Sequence, residues 1–273
     1  MLSFPNCKIN LGLHILNKRE DGFHNLETVF YPVGLKDAVE IIPAHNTTSP
    51  ITFTSSGLIV DGNNGDNICI KAYHLLKKDF PELPAIKMHL HKAIPMGAGL
   101  GGGSADGAFV LMLLNKKFNL NLSTPELLNY ASQLGSDCPF FIINKPCYAT
   151  GRGEILEAIN TDLSKYTIIL INPGIHINTG WAFSQLTPAL PQKTIKEIIT
   201  QPITSWQQEL KNDFEMPVFE KYPAIKNIKE ALYTQGAVYA SMSGSGSTVY
   251  GIFEKAMAAP QFTGTGYFVK TIV

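Results

Sequence analysis

A glycine-rich stretch at residues 94–105, with the sequence IPMGAGLGGGSA, most constrains how this chain can fold. It separates an alternating segment that predicts a strand from an apolar segment that predicts a helix. Glycine reaches positive φ angles and has no side chain, so its backbone can pass close to a ligand. The N-terminus of a helix offers unpaired N–H groups and the positive end of the helix dipole, which favour anions. The stretch therefore predicts a phosphate-binding loop, with a flexible turn as the alternative.

Three known phosphate loops fit this stretch poorly. A P-loop places Lys before the Ser or Thr, whereas Gly103 directly precedes Ser104. Gly97, Gly99 and Gly102 match the dinucleotide pattern G-x-G-x-x-G. That fold also needs an acidic residue about 20 positions later, and residues 118–122 contain none. The H-R-D and D-F-G motifs of protein kinases are absent from the sequence. The loop must bind phosphate in another way.

The run PMGAGLGGGS at residues 95–104 closely resembles the phosphate loop of the GHMP small-molecule kinases. Its extra glycine before the serine is typical of a branch that phosphorylates a cytidine diphosphate-linked polyol in non-mevalonate isoprenoid biosynthesis. The resemblance implies an α+β, two-domain GHMP kinase fold, with an N-terminal domain like ribosomal protein S5 domain 2 and a ferredoxin-like C-terminal domain. It implies ATP and Mg²⁺ as cofactors, with Ser104 near the metal. The implied ATP-binding residues are Asn67, Lys92, Pro95, Met96, Gly97, Ala98, Gly99, Leu100, Gly101, Gly102, Gly103 and Ser104.

Composition narrows the possible partners. The chain has 273 residues, of which 45% are hydrophobic and 16% charged, as in ordinary globular proteins. Lys plus Arg and Asp plus Glu each number 22, so no basic excess favours nucleic acid or an acidic membrane surface. The four cysteines form no C-x-x-C pair, and neither a signal peptide nor a long apolar span is visible. We therefore expect a cytoplasmic protein with small-molecule partners, either a monomer or a homodimer.

Hydrophobic periodicity predicts strands and helices mixed through both halves of the chain. A polar stretch at residues 159–162 predicts a boundary between domains 1–158 and 159–273. The predicted strands cover residues 7–17, 26–33, 37–42, 85–94, 166–171, 238–241 and 248–253, with a short hairpin formed by 51–53 and 58–60. The predicted helices cover residues 67–79, 105–118, 195–200, 206–212 and 224–235, with two further starts at residues 123–126 and 136–139. This mixture favours two α+β domains.

Two segments resemble the catalytic segments of the same branch. CKINL at residues 7–11 places Lys8 and Asn10 on one face of a strand, and LGSDCPFF at 134–141 contains Asp137. By themselves, these residues suggest a solvated lysine and a helix N-cap. The resemblance implies instead that Asp137 accepts the proton of the substrate hydroxyl. It further implies that Lys8 lowers the pKa of that acid and that Asn10 lies near the substrate.

Three more segments resemble the substrate-binding segments. REDGFHNLET at residues 19–28 implies that Phe23 stacks on cytosine and that His24 bonds its polar edge, with Phe23 in place of the usual tyrosine. MSGSGS at 242–247 resembles a loop that closes over the substrate and contributes Ser243, Gly244 and Ser245. Thr179 and Phe183 match positions that line the substrate pocket. Without the resemblance, we would interpret His24 as a surface histidine. The serine-glycine run would be interpreted as a β-turn linker.

Two alternatives remain open from the sequence. Another GHMP kinase, acting on homoserine, mevalonate or a sugar, would keep Asp137 but have no use for Phe23 and His24. A protein on the same scaffold that binds nucleotide without catalysis would not need Lys8 and Asp137. Turnover with each class of acceptor separates these possibilities.

Overall fold

The computed structural model describes residues 1–45, 47–60, 67–255, 262 and 266–273. The chain forms two compact units, each assembled from separate parts of the sequence. Unit 1 comprises Met1–Cys7, Gly34–Met96 and Gly101–Lys145, and unit 2 comprises Lys8–Val33, Gly97–Leu100 and Pro146–Val273. The division at residue 158 stays a prediction.

Runs of strands and runs of helices follow one another along the described residues, as the α+β prediction requires. The strands are β1 (Leu2–Ser3), β2 (Asn6–Lys18), β3 (His24–Lys36), β4 (Ala38–Pro43), β5 (Ile51–Gly57), β6 (Ile86–Lys92), β7 (Cys147–Thr150), β8 (Ile155–Ala158), β9 (Tyr166–Asn172), β10 (Tyr239–Met242), β11 (Val249–Glu254) and β12 (Phe268–Ile272). The helices are α1 (Ile68–Asp79), α2 (Gly102–Phe118), α3 (Thr124–Leu134), α4 (Cys138–Ile143), α5 (Thr179–Ser184), α6 (Ile195–Ile199), α7 (Ile203–Glu209), α8 (Glu215–Lys221) and α9 (Pro223–Thr234).

Unit 1 is built around helix α2, which is apolar on nearly all sides and packs against α1, α3 and α4. Its sheet has the order β1-β4-β6-β5, and β5 runs parallel to β6. Alternation along β6 buries Met88 and Leu90 and turns His89 to the other face, where the hydroxyls of Thr54 and Ser56 contact its ring. The core therefore fixes both β6 and α2, the two elements that border the glycine-rich stretch.

Unit 2 contains two sheets, with strand orders β2-β3-β7-β8 and β10-β11-β9-β12. The second sheet is antiparallel throughout. Its core includes Ile169, Ile171 and Val249 from the strands and Ile225 and Leu232 from α9. This packing holds β10 and β11, which border the serine-glycine run.

Most predicted elements are confirmed, but two local predictions are wrong and two short helices were missed. Residues 58–60 form no second strand, because β5 pairs in parallel with β6 instead of folding into a hairpin. The helix expected at residues 206–212 lies at Ile203–Glu209, after Pro202. The short helices α5 and α8 were not predicted. Within the described residues no helix is long and apolar enough to cross a membrane.

Candidate active site

The glycine-rich stretch has the backbone that its composition predicts. Gly97, Gly99 and Gly101 adopt φ angles of 60°, 78° and 68°, a region that other residues rarely enter. A Cβ atom on Gly99 would lie 1.9 Å from the carbonyl oxygen of Ser243, so only glycine fits there. Gly101 is the N-cap of α2 and provides no side-chain cap. The first N–H groups of α2 are thus available to an anion.

A cavity of about 310 Å³ opens in unit 1 beside the start of α2. Apolar side chains and polar groups share its wall, as in many small-molecule sites. Its lining residues are Val60, Asn67, Ile68, Cys69, Leu90, Lys92, Met96, Gly103, Ser104 and Asp106. Five predicted ATP-binding residues, Asn67, Lys92, Met96, Gly103 and Ser104, therefore line one cavity. The side chain of Asn67 also accepts a hydrogen bond from the Cys69 N–H at 2.9 Å and caps α1.

Lys92 lies at the centre of a buried charge cluster, with its side chain 1% exposed. Its ammonium contacts the Asp37 carboxylate and donates to Asp106 Oδ2 at 2.7 Å. Asp37 Oδ1 also accepts from the N–H groups of Ala93 and Ile94, at 2.6 and 2.8 Å. The cluster thus joins the end of β6, where the glycine-rich stretch begins, to the first turns of α2.

The three charges of this cluster do not balance, since two carboxylates share one ammonium. Burial raises the pKa of Asp106 to about 7, with Lys92 opposing and Asp37 reinforcing the shift. Burial opposes the charge of Lys92, but the two carboxylates outweigh it and raise the lysine pKa. Asp106 Oδ1 is buried and accepts no hydrogen bond from the described residues. Burial in this cluster therefore favours the protonated form of Asp106.

Asp137 precedes α4 in unit 1, at the position of a helix N-cap. Its side chain makes no capping hydrogen bond to α4, and its catalytic role stays a prediction. The next residue, Cys138, is buried, and burial raises its thiol pKa to about 12 against a smaller opposing effect of a hydrogen bond with Ser104. The Asp137 segment therefore meets the start of α2 through Cys138 and Ser104.

Lys8 and Asn10 lie side by side on β2 in unit 2, as their spacing predicts. Lys8 Nζ donates to Asn10 Oδ1 at 2.6 Å and to the Gly99 carbonyl at 3.2 Å. The Lys8 side chain also lies over the ring of Phe30, 4.9 Å from its centroid. Lys8 is only 3% exposed, which excludes a solvated lysine. Because Lys8 belongs to unit 2 and Asp137 to unit 1, their pairing stays a prediction.

The serine-glycine run meets this pair of residues in unit 2. Ser243 Oγ donates to the Gly99 carbonyl at 2.8 Å and accepts from the Asn10 N–H at 3.2 Å. Asn212 Nδ2 donates to the carbonyls of Met242 and Gly244, at 2.7 and 2.9 Å. The run is therefore held from several sides and is not a plain linker.

An aromatic group in unit 2 contains two of the predicted substrate residues, His24 and Phe183. The rings of His24 and Phe183 stack with centroids 5.1 Å apart and planes 20° apart, and Phe183 also meets Phe214 edge-on at 4.9 Å. Thr179, one turn before Phe183 on α5, has its hydroxyl 3.3 Å from that of Ser245. Burial and, secondarily, Lys18 lower the pKa of His24, which favours the neutral imidazole. A neutral imidazole offers one donor and one acceptor.

Sequence reasoning missed four residues that shape the site. Asp106 was visible as a charge in an apolar helix, and a buried charge needs a partner. Asp37 and Asn212 gave no such signal, since Asp and Asn near the ends of elements are common. The fourth is Arg152, whose guanidinium lies 4.8 Å from the centroid of the Phe23 ring.

Comparison with known proteins identifies the family of this chain. Residues 67–145 match the family described as GHMP kinases N terminal domain, and residues 194–263 match GHMP kinases C terminal. The chain therefore belongs to the GHMP kinase family.

The particular branch follows from closer relatives. A 4-diphosphocytidyl-2-C-methyl-D-erythritol kinase of Cytophaga hutchinsonii is 52% identical over 93% of this chain and 92% of its own length. A crystal structure of 4-(cytidine 5'-diphospho)-2C-methyl-D-erythritol kinase is 29% identical, with a TM-score of 0.76 over 92% of this chain and 90% of that one. A homoserine kinase from Cytophaga hutchinsonii shares the fold, with a TM-score of 0.71 over 98% of this chain and 94% of its own, but is only 14% identical.

Proposed function

We propose that this protein transfers the γ-phosphoryl group of ATP to the 2-hydroxyl of 4-diphosphocytidyl-2-C-methyl-D-erythritol, giving the 2-phosphate and ADP in non-mevalonate isoprenoid biosynthesis. The observation that carries the choice of substrate is the aromatic group of unit 2. His24 and Phe183 stack there, and Thr179 of the same helix meets Ser245. A homoserine or mevalonate kinase has no base to place against these rings.

The cavity of unit 1 is the proposed nucleotide site. Its apolar wall suits the faces of a purine, and Gly103 and Ser104 bring the first N–H groups of α2 to its edge. We assign the phosphates to these N–H groups and to the glycine backbone from Gly97 to Gly103. Lys92 remains one of the proposed residues of the nucleotide site. It acts by holding the glycine-rich loop and α2 in position through Asp37 and Asp106.

Phosphoryl transfer also needs a place for the hydroxyl proton and stabilisation of the charge that develops. Asp137 accepts the proton from the substrate hydroxyl as the new P–O bond forms, and ADP leaves with the electron pair of the broken bond. Lys8 supplies positive charge, and Asn10 orients the substrate. The burial of Lys8 and its hydrogen bonds to Asn10 and to the Gly99 carbonyl support these roles.

The proposed site offers few protein ligands for magnesium, which suits an ion held mainly by phosphates and water. Within the described part of the chain, no group of three or more His, Cys, Asp or Glu residues could hold a metal. Ser104, half-buried at the cavity wall, offers one hydroxyl oxygen, and Mg²⁺ commonly takes its other ligands from phosphates and water. When bound, the ion would neutralise charge on the phosphates. A cytoplasmic location belongs to the same proposal and is supported by four buried free cysteines.

The test is ADP release from ATP and Mg²⁺ with three acceptors offered separately. These are 4-diphosphocytidyl-2-C-methyl-D-erythritol, homoserine and mevalonate. We expect turnover with the cytidylyl compound alone. Turnover with another acceptor would keep the kinase but refute the assignment of the aromatic group. ATP binding without turnover on any acceptor would favour a non-catalytic nucleotide-binding protein.

A further inference from the structure

The chain contains two arginines, Arg19 and Arg152, among 22 basic residues, and both lie next to Phe23 in unit 2. Arginine differs from lysine in its planar fork of donors, which matches phosphate and stacks on aromatic rings. The two arginines are used differently, and this difference points to a ligand.

Arg19 is fully engaged in shaping the turn that presents Phe23. Its Nε donates to both carboxylate oxygens of Asp21, at 3.1 and 3.0 Å, and its Nη1 donates to Asn25 Oδ1 at 3.0 Å. Asp21 Oδ1 in turn accepts from the Phe23 N–H at 3.1 Å. Arg19 therefore has a structural role within this turn.

Arg152 lies at the tip of the hairpin between β7 and β8, and the backbone fixes its position. The Gly151 carbonyl accepts a hydrogen bond from the Leu26 N–H at 2.8 Å, which joins the tip to β3 close to Phe23. The Arg152 N–H donates to Glu154 Oε2 at 2.6 Å. The hairpin thus places the Arg152 guanidinium over the Phe23 ring.

The donors of the Arg152 guanidinium are largely unused. Its one ion pair among the described residues is with Glu154, at 3.7 Å, beyond hydrogen-bonding distance. Phe23 is 53% exposed, and its ring centroid lies 4.8 Å from the Arg152 guanidinium carbon. A nucleotide base stacked on Phe23 would therefore lie close to a cation whose donors can bind phosphate.

We propose that Arg152 is a substrate-binding residue that takes the diphosphate of the cytidylyl substrate through its guanidinium donors. The inference rests on the proposed function, because it needs a cytidine diphosphate compound at Phe23. The charge suits the ligand, since the diphosphate is anionic and Arg–phosphate hydrogen bonds are charge-assisted. Arg152 thereby supplies polar recognition at a site where Phe23 lacks a phenol oxygen.

The test compares binding of cytidine, which has no phosphate, with binding of cytidine 5'-diphosphate by calorimetry. In Arg152→Gln we expect affinity for the diphosphate to fall about tenfold, as for loss of one charge-assisted hydrogen bond at a partly exposed site. Affinity for cytidine should stay within about twofold, because the Phe23 ring remains. Arg152→Lys should restore only part of the loss, since it keeps the charge and not the fork. Lys165→Gln, which removes one exposed charge from unit 2, is the matched control and should change neither affinity.

Each other outcome has a defined meaning. An equal loss for cytidine and the diphosphate in Arg152→Gln would show that Arg152 only supports the Phe23 ring, which overturns the proposal. No loss for either compound would overturn it as well. If the unmodified protein binds neither compound, the proposed function itself fails, and that failure is visible before any variant is made.

Discussion

Replacing Lys92 by methionine tests the buried charge cluster of unit 1. Methionine keeps most of the volume of lysine but removes the ammonium that Asp37 and Asp106 share. Removing one partner of a buried ion pair costs about 3–5 kcal/mol, because the other charge is left without compensation. Here two carboxylates are left, though Asp37 keeps its bonds from the N–H groups of Ala93 and Ile94. We therefore expect the free energy of unfolding to fall by about 4 kcal/mol near neutral pH, a large share of the total for an ordinary domain.

The loss should depend on pH in one direction. Without Lys92, the folded protein takes up a proton on Asp106 more readily than the unfolded chain does, so acid relieves the penalty. Urea unfolding followed by circular dichroism at about pH 5.5 and about pH 8 should give the larger loss at the higher pH. Lys87→Met, on the exposed face of the same strand, is the control and should change stability by less than about 0.5 kcal/mol. A loss for Lys92→Met below about 1 kcal/mol, or an equal loss at both pH values, would refute this reasoning.

Three further predictions concern the site. Asp137→Asn should lower turnover by about 10²-fold or more while ATP still binds, because the hydroxyl proton loses its acceptor; unchanged turnover in a steady-state assay would remove Asp137 as the base. Phe23→Ala should weaken cytidine binding about tenfold by calorimetry, whereas Phe23→Tyr should not; equal binding by the alanine variant would end the stacking assignment. Asp106 has a pKa raised from 3.8 to about 7, so its contribution makes stability fall as pH rises through that window. Asp106→Asn should remove this slope in urea unfolding, and a slope that persists would place its origin elsewhere.

Much of the fold could be predicted because local patterns and packing agree. The apolar sequence of α2 and the alternation in β6 each identified the element and the face it buries. The capping box of Ser123 and Glu126 marked the start of α3. The errors arose where pairing partners decide the outcome. Whether residues 51–60 form a hairpin or a strand parallel to β6 depends on a distant element that local sequence does not name.

Part of the candidate site could likewise be predicted from local sequence, and part could not. The positions of Lys8 and Asn10 followed from the two-residue period of a strand, and their hydrogen bond confirms it. The cluster of Asp37, Lys92 and Asp106 could not be predicted, because its members come from three distant parts of the sequence that meet only in the folded chain. Arg152 was missed for the same reason, because the sequence of the β7–β8 hairpin does not indicate that its tip contacts Phe23.

The most direct test of the central claim is phosphorus NMR of the product formed from ATP, Mg²⁺ and 4-diphosphocytidyl-2-C-methyl-D-erythritol. The proposed function predicts one new phosphomonoester signal, coupled to the carbon chain at the 2-position, with the substrate diphosphate intact and ADP formed in equal amount. A product with a cleaved diphosphate, or a monoester at another hydroxyl, would contradict the assignment of the reaction to this site.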